Sequence, residues 1–152
     1  MGRREELLRA EAERWAAFEA GLDAVPADRL ETPGLNAEGW AVRDMMWHVA
    51  VWCSDAARAL TDIAAGRFDR AQEPYTADEV NAINDRAFGR SRSMGADEVR
   101  AELHRARAAM LERFGALNEL TADADEWFEE SGPLHYAEHL SELRAWALTH
   151  DA

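Results

Sequence analysis

The feature that most constrains the fold is a helical period that runs through almost the whole chain. Apolar residues recur every three or four positions, and no run of residues alternates for long enough to predict a strand. The prolines all fall between these periodic segments, at Pro26, Pro33, Pro74 and Pro133. The chain has 152 residues, of which 47% are apolar, and it is long enough to bury a core of its own. The sequence therefore predicts a single all-α domain over residues 1–152, a four-helix bundle with one short extra helix.

The predicted helices differ in how apolar they are. They cover about residues 3–24, 40–65, 76–92, 95–120 and 133–149. Residues 45–53 are apolar almost all round, so we expect the second helix to be the most buried. In the first helix, the stripe that we expect to face the core is Leu8, Trp15, Phe18 and Leu22. The acidic segment TADADEWFEESG, residues 121–132, is predicted to be a loop.

Charge and composition exclude several classes of function. The net charge of −13 disfavours nucleic acid and anionic membranes as partners, because both attract basic residues. No apolar run is long enough to span a membrane and no signal peptide is evident, so we expect a cytoplasmic protein. All 17 basic residues are arginine, which rules out a lysine Schiff base. The single cysteine, Cys53, rules out a cysteine-based zinc cluster and is predicted to be a small buried residue.

Two of the predicted helices carry histidines that can meet. His135 and His139 are four residues apart in the last helix, so both imidazoles project from one face. His48 lies in the most apolar part of the second helix. Helix bundles build metal sites from side chains on facing helices, and three neutral imidazoles would hold one divalent ion such as Zn, Ni or Fe. A core histidine that only bonds a neighbour is the simpler interpretation of His48 alone.

The other histidines and four charged residues complete the candidates. We expect His104 and His150 to be solvated. The catalytic candidates are Asp44, Glu138, Arg67 and Arg70. Asp44 or Glu138 could orient a ligand imidazole or accept a proton, and Asp44 could instead only stabilise the start of its helix. The two arginines could pair with a substrate carboxylate or could be ordinary solvated loop residues.

The segment Trp40-Ala-Val-Arg-Asp44-Met-Met-Trp-His48 resembles the start of the second helix in DinB/YfiT-like bundle proteins, W-x-V-x-D-x-x-x-H. The later pair His135-x-x-x-His139 resembles the pair on the last helix of that superfamily. The likeness covers essentially the whole chain and is greatest to mycothiol-dependent maleylpyruvate isomerase-like and ClbS/DfsB-like members. It implies helices in up-down-down-up order, with His48, His135 and His139 as the ligands of one divalent metal ion.

The same resemblance implies a function. Members of the superfamily include transferases and isomerases that use a low-molecular-weight thiol such as mycothiol, here with a small electrophilic substrate. A bound metal ion would lower the pKa of the thiol. Two alternatives stay open: a metal-free protein that sequesters a small molecule for self-protection, as in ClbS/DfsB-type relatives, and a purely structural dimer. A homodimer is the expected assembly.

Overall fold

The computed structural model describes residues 2–72 and 75–150, the last without its side chain, so the prediction for His150 lies outside the described residues. Within these ranges the chain forms six α-helices and no strand. The helices are α1 (Arg3–Asp23), α2 (Val42–Ala64), α3 (Ala77–Ser91), α4 (Ala96–Gly115), α5 (Ala122–Ser131) and α6 (Pro133–His150). The all-α class is confirmed, and none of the described helices is long and apolar enough to cross a lipid bilayer.

One predicted loop is a helix. The sequence predicts no regular structure at residues 121–132, and this prediction is wrong because α5 occupies most of that segment. The side-chain oxygen of Thr121 accepts a hydrogen bond from the N–H of Ala124 (3.1 Å) and so caps the helix. Ala124 and Phe128, four residues apart, are fully buried. The bundle therefore carries two short helices, α3 and α5, where the sequence predicts one.

The four long helices run up, down, down and up, the order that the resemblance implies. α1 and α6 are parallel, α4 is antiparallel to α1, and α2 is antiparallel to α6. The first direction follows from Glu11–Tyr136 and Trp15–Tyr136, together with Gly21 against Leu140. The second follows from Asp23–Arg100 and Glu11–Arg107. The third follows from His48–His139 and from Cys53–Ser131, where Ser131 ends α5 directly before α6. Since α2 and α4 are both antiparallel to α1, they run in the same direction. The long connection at residues 65–95, which includes α3, lets the chain return to the starting end of the bundle between them.

The face of α1 that packs on the core differs by one residue from the predicted stripe. Leu7 is 1% exposed, whereas Leu8 is 37% exposed. The buried positions of the helix then continue at every third or fourth residue, through Glu11, Trp15, Phe18 and Leu22. A glutamate in the middle of a core stripe is what hides this pattern in the sequence.

The two short helices cover one side of the bundle and leave a recess there. α3 packs on α2, and α5 packs on α2 and α6. Thr76 caps α3 with a reciprocal pair of hydrogen bonds to Glu79 (2.9 and 3.2 Å), as the capping-box sequence predicts. The recess lies over the middle of α2 and the first half of α6, which is where the sequence places its histidines.

Candidate functional site

The structure brings the three predicted histidines together. The Nε2 atom of His135 lies 2.9 Å from Nε2 of His48 and 3.0 Å from Nε2 of His139. His48 and His139 are each 7% exposed and His135 is half-buried. The ligand atoms of all three side chains lie within 4.8 Å of one another. One nitrogen from α2 and two from α6 thus converge on a single point.

This spacing fits a metal ion. Metal–nitrogen bonds of about 2.1 Å with ligand angles between 90° and 109° place the nitrogen atoms about 3.0–3.4 Å apart. The two measured separations, 2.9 and 3.0 Å, lie close to that range. Hydrogen bonds alone do not account for these contacts. His135 Nε2 has two nitrogen neighbours, but it carries only one hydrogen or one lone pair in the ring plane and so can make one hydrogen bond. The three side chains could therefore hold a metal ion.

The neutral state of two of the histidines also favours binding of a metal cation. Burial first, and then electrostatic repulsion from the neighbouring His139, lower the pKa of His48 to about 3. The same two effects, together with His48, hold the pKa of His135 well below its usual range. Both imidazoles are therefore neutral at pH 7, with ring nitrogens free to bind a metal.

The opposite ring nitrogens define how the imidazoles are held. His139 Nδ1 lies 3.3 Å from Oε1 of Glu142, one turn further along α6. The Nδ1 atoms of His48 and His135 are buried and make no hydrogen bond of normal geometry, and Asn84 and the Ser131 backbone offset only a small part of the lowering of the two pKa values. A carboxylate or carbonyl behind a histidine ligand fixes the ring orientation and strengthens the ligand.

The trio lies at the floor of an open cavity of about 940 Å³. Aromatic rings form much of its wall: Trp40, Trp52, Phe68, Tyr75, Phe88 and Trp127. Trp40 packs on the imidazole of His48, with ring centroids 5.0 Å apart. Trp52 donates a hydrogen bond from Nε1 to Oδ1 of Asn84 (2.9 Å), which ties α2 to α3. A small molecule in this cavity would contact both the trio and the aromatic wall.

Asp44 does not act on His48. Its Oδ2 accepts a hydrogen bond from the Ala41 N–H (2.7 Å), and its Oδ1 accepts one from the Ser91 hydroxyl (2.6 Å). Since Nδ1 of His48 has no hydrogen bond, the structure does not give Asp44 the orienting role. The buried carboxylate instead stabilises the start of α2 and links it to the end of α3.

The other three candidates lie in different places. Glu138 is exposed and lines the cavity, between the two histidines of α6. Arg70 also lines the cavity, but its guanidinium is paired with Asp123 and, at 3.9 Å, with Glu126. Arg67 does not line the cavity and pairs with Asp62 (3.3 Å).

Sequence reasoning missed most of the cavity wall. Trp52 lines the cavity, whereas Trp146, on the same helix as His135 and His139, does not. The rings of Phe68 and Trp127 and the amide of Asn84 come from segments that were not connected with the histidines. Their signal is weak in a single sequence, because α5 and the segment before α3 reach the trio only through tertiary packing.

Four long helices in this order, with a histidine trio on the second and the last, define a DinB/YfiT-like bundle. Within that class, the chain belongs to the family described as the mycothiol maleylpyruvate isomerase N-terminal domain, whose family model matches residues 8–150. Its fold is similar to the crystal structure of an uncharacterised protein from Escherichia coli UTI89, with 15% identity and a TM-score of 0.81. That similarity covers 97% of this chain and 94% of the other. No curated protein matches the chain.

Proposed function

We propose that this protein binds one divalent metal ion, Zn, Ni or Fe, through His48, His135 and His139 and uses it in a thiol-dependent transferase or isomerase reaction on a small electrophile. The observation that carries the proposal is the convergence of three Nε2 atoms at the floor of a wide aromatic cavity. Family membership supports the thiol, since mycothiol stands in the family's name. A cytoplasmic location belongs to the same proposal, because thiols are kept reduced there.

In the proposed reaction, different residues bind the metal, accept the thiol proton and hold the substrate. When bound, the metal ion supplies a positive charge that lowers the pKa of a thiol and favours its thiolate. His48, His135 and His139 hold that charge at the cavity floor, and Glu142 orients His139. Glu138 stands at the rim as the residue that accepts the thiol proton. The aromatic wall holds the electrophile and keeps water from the thiolate.

Elemental analysis of untagged protein, purified without chelator, tests the metal centre. We expect about one equivalent of a single divalent metal, because three neutral imidazoles and an open position form a common binding set. His139→Ala should lose the metal and remain folded. His104→Ala is the matched control, since His104 is half-exposed on α4 and pairs with Glu19. Less than about a tenth of an equivalent, still absent after incubation with each ion, would refute the metal centre.

Spectroscopy tests the thiol without assuming a substrate. The cobalt-substituted protein should develop a thiolate-to-metal charge-transfer band when mycothiol, or its cysteinyl glucosamine fragment, is added. The His104→Ala protein should develop the same band as the wild type when the thiol is added in excess. The His139→Ala protein should develop no band. A metal-loaded protein whose spectrum does not respond to any low-molecular-weight thiol contradicts the thiol part of the proposal and leaves the metal centre intact.

One observation favours sequestration as a second candidate function: six aromatic side chains line a cavity of about 940 Å³. A protein that only sequesters a small molecule would bind it without metal and without turnover. Equally tight binding of an aromatic ligand by wild type and by metal-free His139→Ala, with no thiol-dependent consumption of that ligand, would favour this alternative.

A further inference from the structure

The charges around the cavity are strongly one-sided. Seven carboxylates line it among the described residues, against the single guanidinium of Arg70. Two of the seven, Asp123 and Glu126, already neutralise that guanidinium, and Glu142 lies against His139. Substrate carboxylates therefore find no free arginine in the described cavity wall.

Four carboxylates remain without a cationic partner among the described residues. They are Glu38 before α2, Asp85 on α3, Glu130 on α5 and Glu138 on α6, and all four side chains are exposed. Partial burial first, and then repulsion from Glu126 and Glu129, raise the pKa of Glu130. A bound cation would relieve this repulsion.

The aromatic wall and the floor are independent evidence of a ligand site. Aromatic faces attract cations, best of all the indole of tryptophan. Both Trp40 and Trp52 line the cavity, with Trp40 against His48 and Trp52 beside Tyr75 (ring centroids 5.9 Å apart). His48, only 7% exposed, also lines the cavity.

We propose that the substrate of this cavity is a cation: a small molecule with an aromatic or apolar body and an ammonium or amidinium group, and not a carboxylate. The apolar body packs against the tryptophans, and the charged group lies toward the unpaired carboxylates at the rim. This inference rests on the proposed function, for which it names the substrate class. It also separates this chain from the isomerase of its family's name, whose substrate, maleylpyruvate, carries carboxylates.

Three ligands of similar size test the proposal: 2-phenylethylammonium, neutral 3-phenylpropanol and anionic 3-phenylpropanoate. Their dissociation constants are measured by calorimetry at low salt, on the protein as purified and on His139→Ala. We expect the cation to bind at least about tenfold more tightly than the anion, and the difference to shrink as salt is added. An anion that binds the purified protein as tightly as the cation, or more tightly, overturns the proposal.

Removing two carboxylates tests the cause of the preference. In Glu130→Gln with Asp85→Asn, the ratio of the two affinities should fall by at least about fivefold, because each carboxylate acts on both ligands with opposite sign. Glu112→Gln, an exposed glutamate of α4 outside the cavity, should leave the ratio unchanged. An unchanged ratio in the double variant overturns the proposal. Wild-type protein that takes up no metal on incubation with each ion, yet still prefers the cation, refutes the metal centre and supports the ligand class.

Discussion

The buried ion pair between α1 and α4 gives the most direct test of how this bundle is held together. Glu11 is 1% exposed, and its carboxylate accepts two hydrogen bonds from Arg107 (2.7 and 2.8 Å). The hydroxyl of Tyr136 donates a third (3.0 Å). Because Tyr136 is the neighbour of His135 on α6, this network joins three of the four long helices next to the candidate metal centre.

Arg107→Met should destabilise the protein strongly. The substitution keeps most of the side-chain volume over Trp15, where the guanidinium lies 4.6 Å from the ring centroid, but it leaves the Glu11 carboxylate buried and unpaired. Removing one partner of a buried pair costs about 3–5 kcal/mol, and we expect about 3 kcal/mol because the Arg107 side chain is 23% exposed to water. That is a large fraction of the roughly 5–15 kcal/mol that holds a domain folded.

Urea denaturation of the metal-free protein measures this loss, since bound metal would add to the stability of every variant. The combination of Arg107→Met, Glu11→Leu and Tyr136→Phe should recover most of the loss, because it removes both charges and the hydroxyl that paired with them. Arg105→Met, an exposed arginine on the same helix, should leave the urea midpoint unchanged. A loss below about 1 kcal/mol in Arg107→Met, or no recovery in the triple variant, would refute this account of the network.

Two further predictions concern packing and reactivity. Gly132→Ala should lower the free energy of unfolding by about 1–3 kcal/mol, because its Cβ would lie 2.9 Å from the Phe128 carbonyl oxygen. Gly89→Ala, in the interior of α3 with nothing within 4 Å, should instead raise it by up to about 1 kcal/mol; the opposite order in urea melts would contradict both. Cys53 is fully buried, and burial raises its pKa to about 12, so a thiol reagent at pH 8 should modify it only after unfolding. Because the thiol ionises near pH 9 when unfolded and only near pH 12 when folded, the free energy of unfolding should fall as the pH rises from about 9 towards 12. Rapid labelling of the folded protein would show that the reagent reaches Cys53 and would contradict this prediction.

The long helices could be predicted because their apolar period is local information. α5 could not be predicted by the same reasoning, since its surface is acidic and only Ala124 and Phe128 carry the helical spacing. Glu11 was missed for the opposite reason: it is a charged residue at a core position, and a stripe drawn through apolar residues passes over it. Its partner Arg107 lies 96 residues away, and nothing local to either residue indicates the pair.

The histidine trio was predictable because each part of it is a local pattern on a long helix. His135 and His139 share a helix face by their spacing, and His48 lies in the most apolar segment of the chain. Whether the two parts meet depends on the packing of α2 against α6, which the structure supplies. The role of Asp44 was left open by the sequence, because a carboxylate in the first helical turn is equally suited to a cap and to a histidine partner.

The candidate site also has one part on the long helices and another part on the short helices. The candidate metal ligands stand on α2, which is held by the core, and on α6, which is held by the core and by the Glu11 network. The carboxylates proposed to select the ligand stand mostly elsewhere, with Asp85 on α3 and Glu130 on α5. Short helices that cover one side of a bundle can change their surface residues without disturbing the core beneath them. Substitutions in α3 and α5 can therefore alter two of the four carboxylates proposed to select the ligand, while the three candidate metal ligands on α2 and α6 stay in place.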